Sequence, residues 1–193
     1  MSDSWDDYAS EWDANKDAVL YADKAYQTLI NVVNLKGLRV LDFGCGTGLL
    51  SERMAPLVDQ IVALDPSPKM ISALDAKQLP CVETLAAELT EELITSSSVF
   101  ETPFDLVVAS SVCSFLPDYE QTLLLLKRLL SDKGIFIQWD WLDLDGSGTG
   151  LTENRISTAL DGAGFKRFKV SQPFSLTSDY GTMSVVMAAA GGI

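Results

Sequence analysis

The stretch LRVLDFGCGTGLLS at residues 38–51 decides how this chain is read. Leu38, Val40, Leu41 and Phe43 form a short apolar run of the kind that makes a buried strand. The run breaks at Gly44, Gly46 and Gly48, a spacing that suits a tight turn with no room for a Cβ. Leu49, Leu50, Arg53, Met54 and Ala55 follow with helical promise. Strand, glycine turn and helix N-terminus together present backbone N–H groups to the polar or anionic end of a ligand.

The spacing then limits the ligand. A dinucleotide fingerprint needs its third glycine three residues beyond the second, but that position is Leu49 and the glycine stands at Gly48. Asp42 precedes the turn, near the end of an apolar strand where an unpartnered carboxylate is costly. It suits a cationic ligand or the turn's own N–H groups.

VLDFGCGTG, residues 40–48, resembles the first motif of the class I S-adenosylmethionine-dependent methyltransferases. In that family the acid and the glycine backbone hold the methionine moiety of the cofactor, so the resemblance assigns Asp42, Gly44, Cys45, Gly46 and Gly48 to S-adenosylmethionine. The alternative is an ordinary strand, turn and helix in an α/β domain.

Composition narrows the chemistry. With 14 basic and 27 acidic residues the chain carries a net charge of -13, which repels phosphate backbones, so no nucleic-acid partner is expected. Lys166, Arg167 and Lys169 are the densest basic run and read as the solvated face of an edge strand. Histidine is absent, which excludes Ser-His-Asp and Cys-His nucleophile pairs and imidazole metal sites; no metal is expected. Cys45, Cys81 and Cys113 are odd in number and lack CxxC spacing, as reduced thiols of a cytoplasmic protein would be. The start MSDSWDDYAS is unlike a secretory signal, and no run approaches a membrane span, so no membrane partner is expected.

At 193 residues the expectation is one methyltransferase domain over 1–193, with 1–36 a helical cap or lid and 37–193 the core. In residues 1–36 the apolar positions recur at three and four from Asp13, giving one or two amphipathic helices. A plain helical cap over the sheet is one reading. Related methyltransferases fold such a segment over the pocket, which makes Tyr8 and Trp12 candidate lid and substrate-binding residues.

The strand at 60–64 ends in Asp65, where a carboxylate can accept hydrogen bonds from both ribose hydroxyls of an adenosine group. A helix N-cap is the competing role, but Ser67 can serve that alone. By resemblance Pro66 and Met70 border the adenosine. After a third strand at 81–86, the family's adenine-binding acid falls on Glu88, with Leu89 beside it; the usual residue is aspartate, and a helix-start acid competes.

FDLVVASSVCSFLPD, residues 104–118, resembles the family's fourth motif, lining the meeting place of cofactor and acceptor. It adds Ser110 to the cofactor set and Ser114 and Phe115 to the substrate set. Many relatives carry a histidine just before LPD; this chain does not, so that proton-accepting role is lost. A helix is expected over 119–131 and a fifth strand over 135–141.

In that fifth strand Trp139 and Trp141 alternate with Gln138 and Asp140, so both rings share one face. Trp139, Asp140 and Trp141 are candidate walls of an acceptor pocket, an aromatic face with an acid suited to an amine; core packing of the tryptophans with Asp140 at the rim is the alternative. The chain closes with a helix capped by Thr152 and two strands, whose connection at 175–181 is placed to overhang the site.

The resulting fold class is α/β, alternating strands and helices. The resemblance makes it a Rossmann-like, seven-stranded, mostly parallel sheet flanked by helices with its last strand antiparallel. It implies methyl transfer to a small-molecule acceptor by a monomer or homodimer. Such a displacement strictly requires no catalytic residue; if a proton must leave, Asp140 and Tyr8 are the candidates for accepting it. Two other classes stay open: a cofactor-binding sensor or partner subunit without catalysis, and a nicotinamide oxidoreductase, against which the glycine spacing argues.

Overall fold

Each apolar run becomes a strand because it is short, rich in Val, Ile, Leu and Phe, and closed by a glycine or polar turn. The computed structural model describes residues 5–144, 146, 148, 150–178 and 181–192. Its strands are β1 (Arg39–Phe43), β2 (Gln60–Asp65), β3 (Val82–Ala86), β4 (Phe104–Ser110), β5 (Leu130–Trp141), β6 (Phe168–Ser178) and β7 (Gly181–Gly191). The α-helices are α1 (Lys16–Val32), α2 (Leu49–Met54), α3 (Pro68–Asp75), α4 (Glu91–Ser96), α5 (Tyr119–Leu129) and α6 (Glu153–Gly162).

The sheet order is β3-β2-β1-β4-β5-β7-β6. β1 pairs in parallel with β2 and β4, β2 with β3 and β4 with β5, while β7 runs antiparallel to both β5 and β6. The order reverses between β1 and β4, and a crevice outside the strand C-termini opens at such a switch point.

Strand alternation sends successive residues to opposite faces, and each face has its own core. Leu41, Phe43, Val107 and Phe136 pack with Leu123 and Leu126 of α5 and Leu160 of α6. Val40, Val108, Ile137 and Trp139 pack on the other face with Leu29 of α1, Met54 of α2 and Leu74 of α3. Helix α1 starts where the Asn15 side chain accepts from the backbone N–H of Asp17 and Ala18, and it buries Tyr21, Ala25 and Leu29 against the sheet. Ser67 caps α3 through the Met70 N–H, and Thr152 caps α6 through the Arg155 N–H.

One boundary differs from expectation. The fifth helix stops at Leu129 and the strand begins at Leu130, because Leu130 already pairs with Phe104; residues 131–134 bulge before Ile135 pairs with Leu106. In the 175–181 connection, Ser178 pairs with Gly181 in a hairpin. Asp179 and Tyr180, on which its expected overhang depends, lie outside the described residues.

Candidate functional site

A cavity of about 460 Å³ opens across the C-terminal ends of β1 to β5. At its β1 end the chain turns sharply at Gly44, whose φ of +69° and closeness to the Val112 methyls exclude a side chain. Gly48, at φ +80°, is the residue before α2 and lies under Leu74, where a Cβ would collide. It shapes the turn and does not line the cavity, contrary to the expectation of cofactor contact.

The turn's N–H groups are largely spent internally. Gly44 N and Cys45 N donate to the Leu64 carbonyl at 2.7 and 3.1 Å, and Gly48 N donates to the Cys45 carbonyl at 2.9 Å. Gly46 N donates to Asp65 Oδ2 at 2.9 Å, and Ser67 N donates to Asp65 Oδ1 at 2.8 Å. The turn therefore does not hold out a row of free amides. Its amides fix a carboxylate, which keeps lone pairs for further donors.

Asp42 is buried at the same wall and accepts from the Ser51 hydroxyl at 2.6 Å. Burial pushes its carboxyl up to about 6, against the lowering effect of Ser51, and the charge of Asp65 adds to the rise. Asp65 is also raised, by burial first, with the Ser67 and Gly46 amides pulling the other way. Cys45 lines the wall as a buried thiol whose ionisation burial pushes well up. Pro66, Met70, Glu88 and Leu89 continue the lining past β2 and β3.

The β4–β5 end has a different character. Ser110, Ser111, Val112, Phe115, Leu116 and Trp141 form its floor, and Tyr21 of α1 faces it. Trp5 packs edge-on against Phe115, with ring centroids 5.2 Å apart, and lies 6.0 Å from Trp12; all three rings line the cavity. The N-terminal segment is fastened there: Asp6 accepts from the Ser67 hydroxyl, and Asp13 accepts from the Thr47 hydroxyl and pairs with Lys77 at 2.9 Å. No Lys, Arg or His is among the described residues lining the cavity.

Several expected acceptor residues do not reach it. Tyr8 is 58% exposed and outside the lining, its ring turned to Trp5. Trp139 is fully buried in the core, with Nε1 donating to Thr28 Oγ1 at 2.8 Å, so only Trp141 of the pair lines the cavity. Asp140 is fully buried behind the floor and outside the lining, accepting from Ser114 N at 2.9 Å and Gln138 Nε2 at 3.0 Å. Burial pushes its carboxyl up to about 7, and the Ser114 and Gln138 hydrogen bonds restrain the rise. Gln138 Oε1 in turn accepts from the Tyr119 hydroxyl at 2.6 Å. Asp140 thus holds the 3-10 turn Cys113–Phe115, and Ser114 meets Asp140 instead of a ligand. Neither Asp140 nor Tyr8 lines the cavity.

Sequence reasoning missed Trp5, Tyr21 and Ser111. Ser111 is a non-glycine residue at φ +58° whose N–H donates to the Trp139 carbonyl at 2.7 Å, a strained conformation on the cavity wall. The aromatic pair at positions 5 and 12 carried the only available signal for Trp5.

A family model described as "Methyltransferase domain" matches residues 41–136. An uncharacterized methyltransferase of Schizosaccharomyces pombe is 32% identical over 115 residues, 55% of this chain and 40% of that protein. A ubiquinone biosynthesis O-methyltransferase of Xanthomonas oryzae pv. oryzae is 34% identical over 112 residues, 53% of this chain and 42% of that protein. The matches thus span about two fifths of the length of these curated relatives. Among solved structures, DhpI in complex with SAH superposes with a TM-score of 0.72 at 20% identity, covering 97% of this chain and 93% of that one. Magnesium protoporphyrin IX methyltransferase from Synechocystis with bound SAM gives 0.63 at 18% identity, covering 89% and 78%; both likenesses are of fold. The chain thus carries a methyltransferase domain, matched over residues 41–136, on the fold of S-adenosylmethionine-dependent methyltransferases.

Proposed function

We propose that this chain transfers the methyl group of S-adenosylmethionine to a small-molecule acceptor, with the cofactor along the β1–β3 end of the cavity and the acceptor at the β4–β5 end. The observation that carries this reading is the run of acids Asp42, Asp65 and Glu88 at three adjacent strand ends, all lining one cavity. Asp42 is a buried carboxylate with no cationic side chain in the cavity wall, and the cofactor's ammonium is the counter-charge that fits it. Asp65, clamped by two backbone amides, keeps acceptor capacity for ribose hydroxyls. Glu88 and Leu89 border the adenine. Gly44, Cys45, Gly46, Pro66, Met70 and Ser110 complete the proposed cofactor wall.

When bound, the cofactor supplies an activated methyl group for in-line displacement. The residues of this chain have the tasks of alignment and water exclusion. Trp12 and Trp5 close one side, and Phe115 and Trp141 present apolar faces to the acceptor. In this reading residues 1–36 are the cap of a single methyltransferase domain. The name of the Xanthomonas relative, an O-methyltransferase of ubiquinone biosynthesis, supports a small acceptor. A cytoplasmic setting is part of the same proposal and is supported by Cys45, Cys81 and Cys113, which are free thiols. No helix among the described residues is long and apolar enough to cross a membrane.

The test is incubation of the protein with methyl-labelled S-adenosylmethionine and a library of small acceptors, with Gly44→Ala as the blank. Label moving to a small molecule with wild type alone supports catalysis. Tight cofactor binding without label transfer to any library member favours the non-catalytic sensor or partner subunit.

A further inference from the structure

The cavity is charged in one sense only. Its described lining residues include four acids, Asp17, Asp42, Asp65 and Glu88, and no Lys, Arg or His. Two cations of the neighbouring helices are spent on other acids: Arg53 of α2 pairs with Asp23, and Lys77, just past α3, pairs with Asp13 and Glu52.

Two of the lining acids are also taken out of water. Asp42 is 1% exposed and Asp65 8% exposed, at the ends of the adjacent strands β1 and β2. Their charges oppose each other: Asp65 adds to the rise of the Asp42 carboxyl that burial begins. Cys45, on the same wall, registers the same field. Its thiol is pushed well up by burial first, then by the charges of Asp42 and Asp65. The donors that hold the two carboxylates are neutral: the Ser51 hydroxyl for Asp42, the Gly46 and Ser67 amides for Asp65. They fill lone pairs without cancelling charge. Like charges buried without a cation cost free energy that a cationic ligand recovers.

Methyl transfer changes the ligand in this respect. The acceptor's lone pair forms a bond to the methyl carbon, and the electron pair of the breaking carbon–sulfur bond returns to sulfur. A cationic sulfonium becomes a neutral thioether. Ammonium, carboxylate, ribose and adenine are common to both ligands, so their contacts cancel in a comparison. Sulfur joins the amino-acid part to the ribose part, so with the ammonium at Asp42 and the ribose at Asp65 it lies along the wall between these carboxylates. The spent ligand loses its charge where the wall favours a cation.

We propose that this cavity distinguishes the methyl donor from its spent product by charge, through Asp42 and Asp65, so that it holds S-adenosylmethionine more tightly than S-adenosylhomocysteine and releases the product readily. The proposal rests on the reading of the β1–β3 end as the cofactor site. Asp42 and Asp65 are then specificity-determining residues for the charge at sulfur, in addition to their contacts with ammonium and ribose.

The experiment is calorimetric titration with three ligands: S-adenosylmethionine, S-adenosylhomocysteine, and sinefungin, in which a carbon bearing an ammonium group replaces the methylated sulfur. A buffer at about pH 8 lies above the value of about 6 to which Asp42 is raised, so its carboxylate is charged. The two cationic ligands are expected to bind wild type about tenfold more tightly than S-adenosylhomocysteine, the order of effect of one charge near buried carboxylates. Asp42→Asn keeps an oxygen for the Ser51 hydroxyl and removes one charge. It should narrow the gap to roughly threefold. A structural defect would weaken all three ligands alike, so the ratio isolates charge, and the wild-type comparison stands whether or not the variant folds.

S-adenosylhomocysteine binding wild type as tightly as S-adenosylmethionine, or more tightly, would overturn the proposal and leave the cofactor reading intact. Sinefungin binding no better than S-adenosylhomocysteine would overturn it too, since the methyl group's shape would then set the preference. So would a ratio unchanged in Asp42→Asn. Failure of all three ligands to bind wild type strikes the cofactor reading itself and takes this proposal with it.

Discussion

At the β1–β3 end of the cavity, Asp65 is held by backbone, between the amides of Gly46 and Ser67, and the turn itself by the Leu64 carbonyl, while Asp42 is held by the Ser51 hydroxyl. At the β4–β5 end side chains are held by other side chains. Tyr21 is wedged between Trp141 and Phe174, Phe115 leans on Trp5, and the turn below them hangs from Asp140. Backbone clamps are set by φ, ψ and a few obligatory glycines, so that end tolerates little change. Side-chain packing can be rebuilt with other residues of similar volume, so the β4–β5 end can change shape while the fold persists.

The largest expected effect comes from breaking the backbone-held end. Gly44→Ala puts a Cβ into Val112 at a left-handed φ and should cost about 2 kcal/mol of stability. With the turn displaced, affinity for S-adenosylhomocysteine should fall by about a hundredfold or more, roughly 3 kcal/mol. Urea unfolding and calorimetry on the same preparation would check both.

The next effect tests the two buried carboxyls, Asp42 on the β1–β3 wall and Asp140 behind the β4–β5 floor. The carboxyls of Asp42 and Asp140, raised to about 6 and about 7, bind protons in the folded protein at a pH where the unfolded chain has released them. Their stabilising contribution is complete below the unfolded value near 4 and is lost as pH rises through 6 for Asp42 and 7 for Asp140. Between pH 5 and pH 8 the Asp140 share of that loss is about 2 kcal/mol. Asp140→Asn should flatten the slope of unfolding free energy over that window by about this amount. The network around Asp140 can accept either state: rotation of the Gln138 amide would let a protonated Asp140 donate to it while Tyr119 accepts. An unchanged slope would show that another group sets the dependence.

A smaller effect sharpens the contrast between the two ends. Phe115→Ala removes an aromatic wall and should weaken binding of any acceptor found about tenfold, or 1.4 kcal/mol, while leaving S-adenosylhomocysteine within about twofold. Equal losses in both ligands would mean that the two ends are one unit. The smallest effect is for Tyr8→Phe. Its hydroxyl lies outside the cavity, so turnover of any acceptor found should be unchanged.

The same contrast decides what could be read from residues alone. The β1–β3 end is encoded locally: Asp42, the glycines and Asp65 fall at fixed offsets within contiguous strands and turns, and periodicity showed the alternation of strands and helices, while the seven-stranded sheet with its antiparallel strand came from the family resemblance. What local pattern could not tell was that the amides of Gly44 and Cys45 are committed to Leu64, or that Gly48 serves the turn and not the ligand. The β4–β5 end is encoded across distance. Trp139 and Trp141 have the same strand phase, yet one meets Thr28 of α1 and the other the cavity, a difference set by where a helix over a hundred residues earlier crosses the strand. Tyr21 read as one more apolar position of an amphipathic helix. Asp140 looked like a pocket-lining acid because the strand's C-terminal end is the usual place for ligands, but the turn at 113–115 covers it.

The central claim is that the acids at the ends of β1, β2 and β3 form a site for an adenosyl cofactor. It is tested most directly by calorimetric titration of wild type and Asp65→Ala with S-adenosylhomocysteine and with NADH. The account predicts that wild type binds S-adenosylhomocysteine and not NADH, and that Asp65→Ala weakens the binding by about thirtyfold, or 2 kcal/mol, as expected when hydrogen bonds to a charged carboxylate are lost. Binding of NADH alone, or S-adenosylhomocysteine affinity indifferent to the loss of Asp65, would contradict it.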